Sequence, residues 1–154
     1  MPPAYREPAP GAARVAIVNA PPTEDSTAWL VCRALRALVR PESLRVFAPD
    51  EATGGPDDVR FEMGLSESDA RAFGLMGRLD AVVRVQRDSL PGGGVRLTAD
   101  LLVPPWRGRA APVALGAGEG RTWAAAAAAL AERLARAPAL RVRRVTRVTK
   151  DQAG

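Results

Sequence analysis

Residues 116–122, "GAGEGRT", place three glycines in five positions directly ahead of the alanine-rich run "WAAAAAALAERLARA". Phosphate-binding loops use the same parts, because glycine lets the backbone approach an anion and a helix N-terminus attracts it. A Walker loop needs four residues between its glycines, then a Lys that reaches the terminal phosphates and a hydroxyl that holds Mg²⁺. Here Gly116 and Gly120 enclose three residues and lead into Arg121 and Thr122. The dinucleotide fingerprint fails as well, since Arg121 and Trp123 stand where further glycine-type positions would be needed. The stretch therefore reads as a helix lead-in, in which the glycines end an edge strand and Thr122 caps the following helix.

Metal and acid–base chemistry have few residues to draw on. The chain has no His and a single Cys, Cys32, so the usual zinc ligand sets and the Ser–His and Cys–His nucleophile pairs cannot be assembled. Cys32 lies in a helical pattern and reads as a small core residue. Asp57, Asp58, Glu62, Glu67 and Asp69 form an acidic cluster, but their spacing fits no calcium loop, and acids are common at loops and helix starts. No catalytic residue, cofactor or metal site is expected.

Two stretches remain as binding candidates. "VPPWRGR" (103–109) sets Trp106 beside two prolines, Arg107 and Arg109, in what should be an exposed turn. Trp and Arg are enriched in binding hot spots, so this turn reads either as a partner anchor or as a Trp capping the edge of the core. The second stretch is basic: Arg141, Arg143, Arg144, Arg147 and Lys150 put five positive charges within ten residues. Net charge is +5 from 22 basic and 17 acidic residues, so without these five the rest balances at 17 against 17. Such a tail can hold a phosphate backbone or an acidic protein surface, though no aromatic residue interleaves it for base stacking. Only one of the basic residues is Lys, an arginine bias typical of a GC-rich bacterial genome.

The elements that must position these residues follow from the pattern. At 154 residues, 47% hydrophobic and 25% charged, the chain has the size and composition of one globular domain. No apolar run nears the ~20 residues of a membrane span, and the Pro-, Glu- and Arg-bearing start does not resemble an export signal, so a cytoplasmic location is expected. Residues 1–13 read as a flexible Pro/Ala-rich arm, 14–138 as the domain and 139–154 as the basic tail.

Within the domain, "RVAIVNA" (14–20) predicts a buried strand. "TEDS" (23–26) offers caps and acids for a helix with Trp29, Cys32, Leu35 and Val39 on one side, stopped by Pro41. "SLRVFAP" (43–49) predicts a second strand and "DEATGGPDD" (50–58) a polar loop. A short helix over 66–80 is capped by Ser66 or Ser68 and repeats Ala70, Phe73 and Met76. Two alternating runs around Pro91 and three glycines predict a hairpin, with Val83, Val85 and Arg87 facing Leu97, Ala99 and Leu101. Residues 111–118 add a third antiparallel strand, and a helix runs from Thr122 to Ala137. The order β-α-β-α-β-β-β-α is that of an α+β two-layer sandwich, with a mixed sheet of about five strands and three helices.

With those elements in place, "VAIVNAPPTEDSTAWLVCRALRALVRPESLRVFAPDE" and "SDARAFGLMGRLDAVVRVQRDSLPGGGVRLTADLLVPPWRGRAAPVALGAGEG" resemble TolB N-terminal-like domains. The resemblance lies in the strand–loop–helix–strand opening and in Leu79, Asp80, Val82 and Val83 at the helix-to-strand step. It continues with Val95, Leu97, Thr98, Leu101 and Leu102 on the second hairpin strand. It spans roughly residues 14–137. Relatives of that kind precede the propeller of the Tol-Pal periplasmic protein, form lipoproteins that activate peptidoglycan synthases, or are attached to bacterial cyclases and kinases. The resemblance implies a non-catalytic docking or assembly module. The expected role is thus that of a subunit or adaptor binding a protein partner through the meander edge and the Trp106 turn. A nucleic-acid-associated protein using the basic tail is the alternative, and a homo-oligomer is left open.

Overall fold

The computed structural model describes residues 12–21, 23, 26–49, 51, 64–107 and 111–145. The strands are β1 (Ala13–Asn19), β2 (Leu44–Phe47), β3 (Ala81–Ser89), β4 (Val95–Leu102) and β5 (Val113–Gly120). The helices are α1 (Thr27–Leu38), α2 (Glu67–Met76) and α3 (Trp123–Ala135), followed by a single 3₁₀ turn at Pro138–Arg141. The strands form one mixed sheet in the order β2-β1-β3-β4-β5. β1 runs parallel to both β2 and β3, and β3, β4 and β5 form an antiparallel meander. The molecule is the α+β sandwich that the element order predicts.

Alternation along the strands divides the core. Ala13, Val15 and Ile17 of β1, Val83 and Val85 of β3, and Leu97, Ala99 and Leu101 of β4 face α1 and α3. Val83 stands opposite Leu101, Val85 opposite Ala99 and Arg87 opposite Leu97, as the hairpin pattern predicts. The intervening Ala16, Val18, Val82 and Leu102 face the other way, where Ala70 and Phe73 of α2 and Trp106 cover them. β1 is therefore apolar on both faces, as expected of a central parallel strand. Further along β3 and β4 the reverse face turns polar, with Arg84 bidentate to Asp100 at 3.1 and 2.9 Å.

The helix caps differ in part from expectation. Thr122 caps α3 by accepting from Ala125 N at 3.1 Å, and Ser66 caps α2 by accepting from Asp69 N at 3.1 Å. Ser26, however, makes no side-chain cap bond to α1. Asn19, at the end of β1, accepts from Ala28 N at 2.9 Å instead, so a buried amide ties strand to helix. On α2, Ala70 and Phe73 are buried but Met76 is 69% exposed. Its place on the buried side goes to Gly74, against which the Trp106 indole lies too close to leave room for a side chain.

Asp80 joins three segments at the start of β3. It is buried, and its Oδ2 accepts from Arg14 N at 2.8 Å while its Oδ1 accepts from Arg144 N and Val145 N, each at 2.7 Å. Its own N–H donates to Arg14 O at 2.8 Å. The folded part thus continues past the expected boundary at Pro138: Leu140 is fully buried in the α1/α3 core, and the chain is held as far as Val145. Asp80→Ala should strand three buried or half-buried N–H donors and lower unfolding free energy by about 3 kcal/mol. Urea denaturation measures this, and Asp80→Asn should fall between the variant and the parent.

Candidate interaction surface

The glycine stretch belongs to β5 and α3 together. Gly116, Gly118 and Gly120 alternate along the strand on the side that faces α3. A Cβ on Gly118 would lie 2.3 Å from Leu130 N and 2.5 Å from Ala126 O, so the helix backbone rests directly on the strand backbone. A Cβ on Gly120 would stand 2.7 Å from that of Ala125. Gly116 sits beside a bulge, where Leu115 is the extra residue between the Gly116–Ala99 and Ala114–Asp100 pairs, and it has φ +135°. The glycines thus serve close packing and a bulge, and Thr122 at their end caps the helix. Gly118→Ala should cost about 2 kcal/mol or more, because the clash is with backbone that cannot swing aside; thermal unfolding reads the loss directly.

The sheet has two edges, and they are finished differently. β2 is four residues long. Its Val46 carbonyl accepts from Arg36 Nε at 3.0 Å, and Ala48 N donates to Glu51 Oε1 at 2.8 Å. Arg36 and Glu51 also pair with each other, so a charged bridge covers this edge. β5 is eight residues long, and among the described residues no side chain bonds its outward backbone groups. Beside it, the outer side of α3 and the strand form a shallow recess lined by Ala117, Glu119, Ala129, Glu132, Arg133 and Arg136. On the reverse face Arg96 pairs with Glu119, its Nε donating at 2.7 Å.

Trp106 and the basic residues resolve differently from the sequence reading. Trp106 is 8% exposed and packs with Phe73 in the α2 cluster, so of its two readings the cap on the core edge fits and the exposed turn does not. The apolar ring gains more from covering Val82 and Leu102 than from standing in water. Arg107 is exposed beside it, and Arg109 lies outside the described residues. The groove by Trp106 is lined by α2 residues including Arg71 and Leu75, and Arg71 pairs with Glu67 at 3.3 Å.

In the basic segment, Arg141 donates to Ala135 O at 2.6 Å and fastens the 3₁₀ turn to the end of α3, while Arg144 donates to Ala139 O at 3.1 Å and holds the following residues against that turn. Burial pulls the Arg144 pKa below the usual arginine range, and neighbouring Asp80 pushes it back up. Arg143 is half-buried, while Arg147 and Lys150 lie outside the described residues. Of the acidic cluster, Glu67 and Asp69 start α2, and Asp57, Asp58 and Glu62 lie outside the described residues. No group of three or more metal-type ligands occurs among the described residues, and no described helix is long and apolar enough to cross a membrane.

Sequence reasoning missed the outer residues of α3. Glu132, Arg133 and Arg136 lie away from the Leu130–Leu134 stripe, and that phase marked them as outward-facing. In comparisons with protein-family models and with curated proteins, nothing matches the chain. Trp106→Ala should lower stability by about 3 kcal/mol as a buried-aromatic truncation, whereas Arg107→Ala should stay within about 0.5 kcal/mol as a surface change. Guanidinium titration of the two variants separates a core role from a surface anchor.

Proposed function

We propose that the chain is a non-catalytic protein-interaction or assembly module, a subunit or adaptor of a larger bacterial complex, that docks through the β5 edge. The observation that carries this reading is the contrast between the guarded β2 edge and the eight residues of β5, whose outward backbone groups no side chain bonds among the described residues. An unpaired strand is a template for another chain, because main-chain hydrogen bonds supply affinity without any special side chain. The polar residues at the heart of the fold have structural duties. Asn19 caps α1, Thr23 accepts from Arg87 N and Asp80 clamps three segments. The resemblance to TolB N-terminal-like domains, included in the proposal as a distant relationship, points the same way.

The nucleic-acid reading stays second. Arg141 and Arg144 spend donors on the chain's own carbonyls. The solvated reverse face of β3 and β4 presents Arg84, Gln86, Asp88, Arg96, Thr98 and Asp100, with no aromatic platform for bases.

The test is capture from native lysate by three forms: the full chain, a truncation after Val145 that spares the Asp80 clamp, and Ala117→Lys, which charges the middle of the edge. The same protein held by the first two and released by Ala117→Lys is the expected result. Capture of nucleic acid by the full chain alone, weakening steeply between about 50 and 200 mM salt, would overturn it in favour of the tail.

A further inference from the structure

We infer that the occupant of the β5 edge is an extended segment of a partner protein that carries an acidic side chain opposite Gly116; this rests on the reading of β5 as the docking edge. Regular register with β4 runs from Gly116 to Gly120, and the bulge at Leu115 interrupts it. Along that stretch Gly116, Gly118 and Gly120 present no side chains toward α3, so what a partner strand meets on this side is set by the helix. Arg133 fills the place at Gly116: its Cδ and Nη1 stand 3.2 and 3.3 Å from where a Cβ on that glycine would be. The corresponding place at Gly120 is 2.7 Å from the Ala125 Cβ, and Ala129 lines the recess. Ala125, Ala129 and Arg133 follow one another at four-residue spacing, so along the strand the flank changes from methyl groups to a guanidinium.

That guanidinium is uncompensated. Arg133 is exposed and has no acidic partner among the described residues. Glu132, the acid of the recess on the α3 side, stands four residues before Arg136, the helix-surface spacing at which opposite charges offset each other. On the reverse face Glu119 is taken by Arg96. A residue paired directly with Gly116 would have its Cβ about 5 Å from that position, where Arg133 attracts a carboxylate and repels an ammonium. Residues two and four further along the same face of the partner meet the Ala129 and Ala125 side of the helix, which rewards no charge. Main-chain bonds alone would accept any extended sequence. Arg133 makes the edge selective for an acid at one end of the pairing, followed by uncharged residues.

The test is an NMR titration of the isotope-labelled full chain with two short Thr/Val peptides, identical except for a central Glu or a central Lys. The parent is expected to show shifts of the β5 amides with both. It should bind the Glu form about fivefold more tightly, as opposite rather than like charges across a strand pair do. Arg133→Glu, an exposed substitution, should invert that preference, and Ala117→Lys should abolish both sets of shifts. No shift in β5, equal binding of the two peptides, or a Glu preference that survives Arg133→Glu overturns this inference. Shifts in β5 that depend on chain concentration alone assign the edge to a second copy and overturn it too. The adaptor reading is judged separately by capture from lysate: a protein released by Ala117→Lys upholds it even where Arg133→Glu changes nothing.

Discussion

One carboxylate holds the two ends of this fold to its middle. Asp80 sits where α2 turns into β3, and its oxygens receive three backbone N–H groups from segments 66, 64 and 65 residues away. A parallel pair such as β1 and β3 has no hairpin to set its register, because the connection is long and passes through a helix. The reciprocal bonds between Asp80 and Arg14 supply that register directly. With β1 placed, its two apolar faces define both core clusters, and α1, α2 and α3 have surfaces to cover. Arg14 adds to the same corner, its guanidinium lying 4.6 Å from the Phe47 ring centre and so drawing β2 in as well.

The second constraint is steric. A helix normally stands off a sheet by the thickness of two layers of side chains. Over the second half of β5 one layer is missing, since Gly116, Gly118 and Gly120 are the residues that meet α3 there. That brings Leu130 and Leu134 deep enough to meet α1 and β4 in the main core, and lets a helix built mostly from alanine bury adequate area. The same economy leaves the strand's outer side without bulk to shield it. Packing of the helix and exposure of the edge thus have a common origin in one residue type.

Much of this was legible from residue order. Alternation in "AVVRVQRDS" and "VRLTADLL", with glycines between, determined the hairpin and its facing pairs, because period and turn chemistry are local properties. The cap at Thr122 followed from the residue types alone, and that of α2 was narrowed to Ser66 or Ser68, of which Ser66 makes the bond. What was not legible depended on partners distant in sequence. Asn19 capping α1 could not displace Ser26 until β1 had been placed against the helix. The Trp106 indole became a core residue only because Gly74 leaves a gap for it on α2. The basic segment looked like a solvated tail because its net charge is visible in the sequence, while the carbonyls and the Asp80 carboxylate that receive it are not.

The Asp80 corner also determines how the molecule can be joined to others. Because Arg14 and Val145 are both held by one side chain, the two ends of the described fold emerge side by side. A short linker could therefore close them, and the chain could be reopened at the Leu90–Gly94 turn, where a Cβ on Gly92 or Gly93 would meet nothing within 4 Å. The chain leaves both ends of the described fold from the same corner, at the start of β3 and β1, two and three strands in from β5. In genetic terms, the domain can be inserted into a loop of another protein as readily as it can be placed in series.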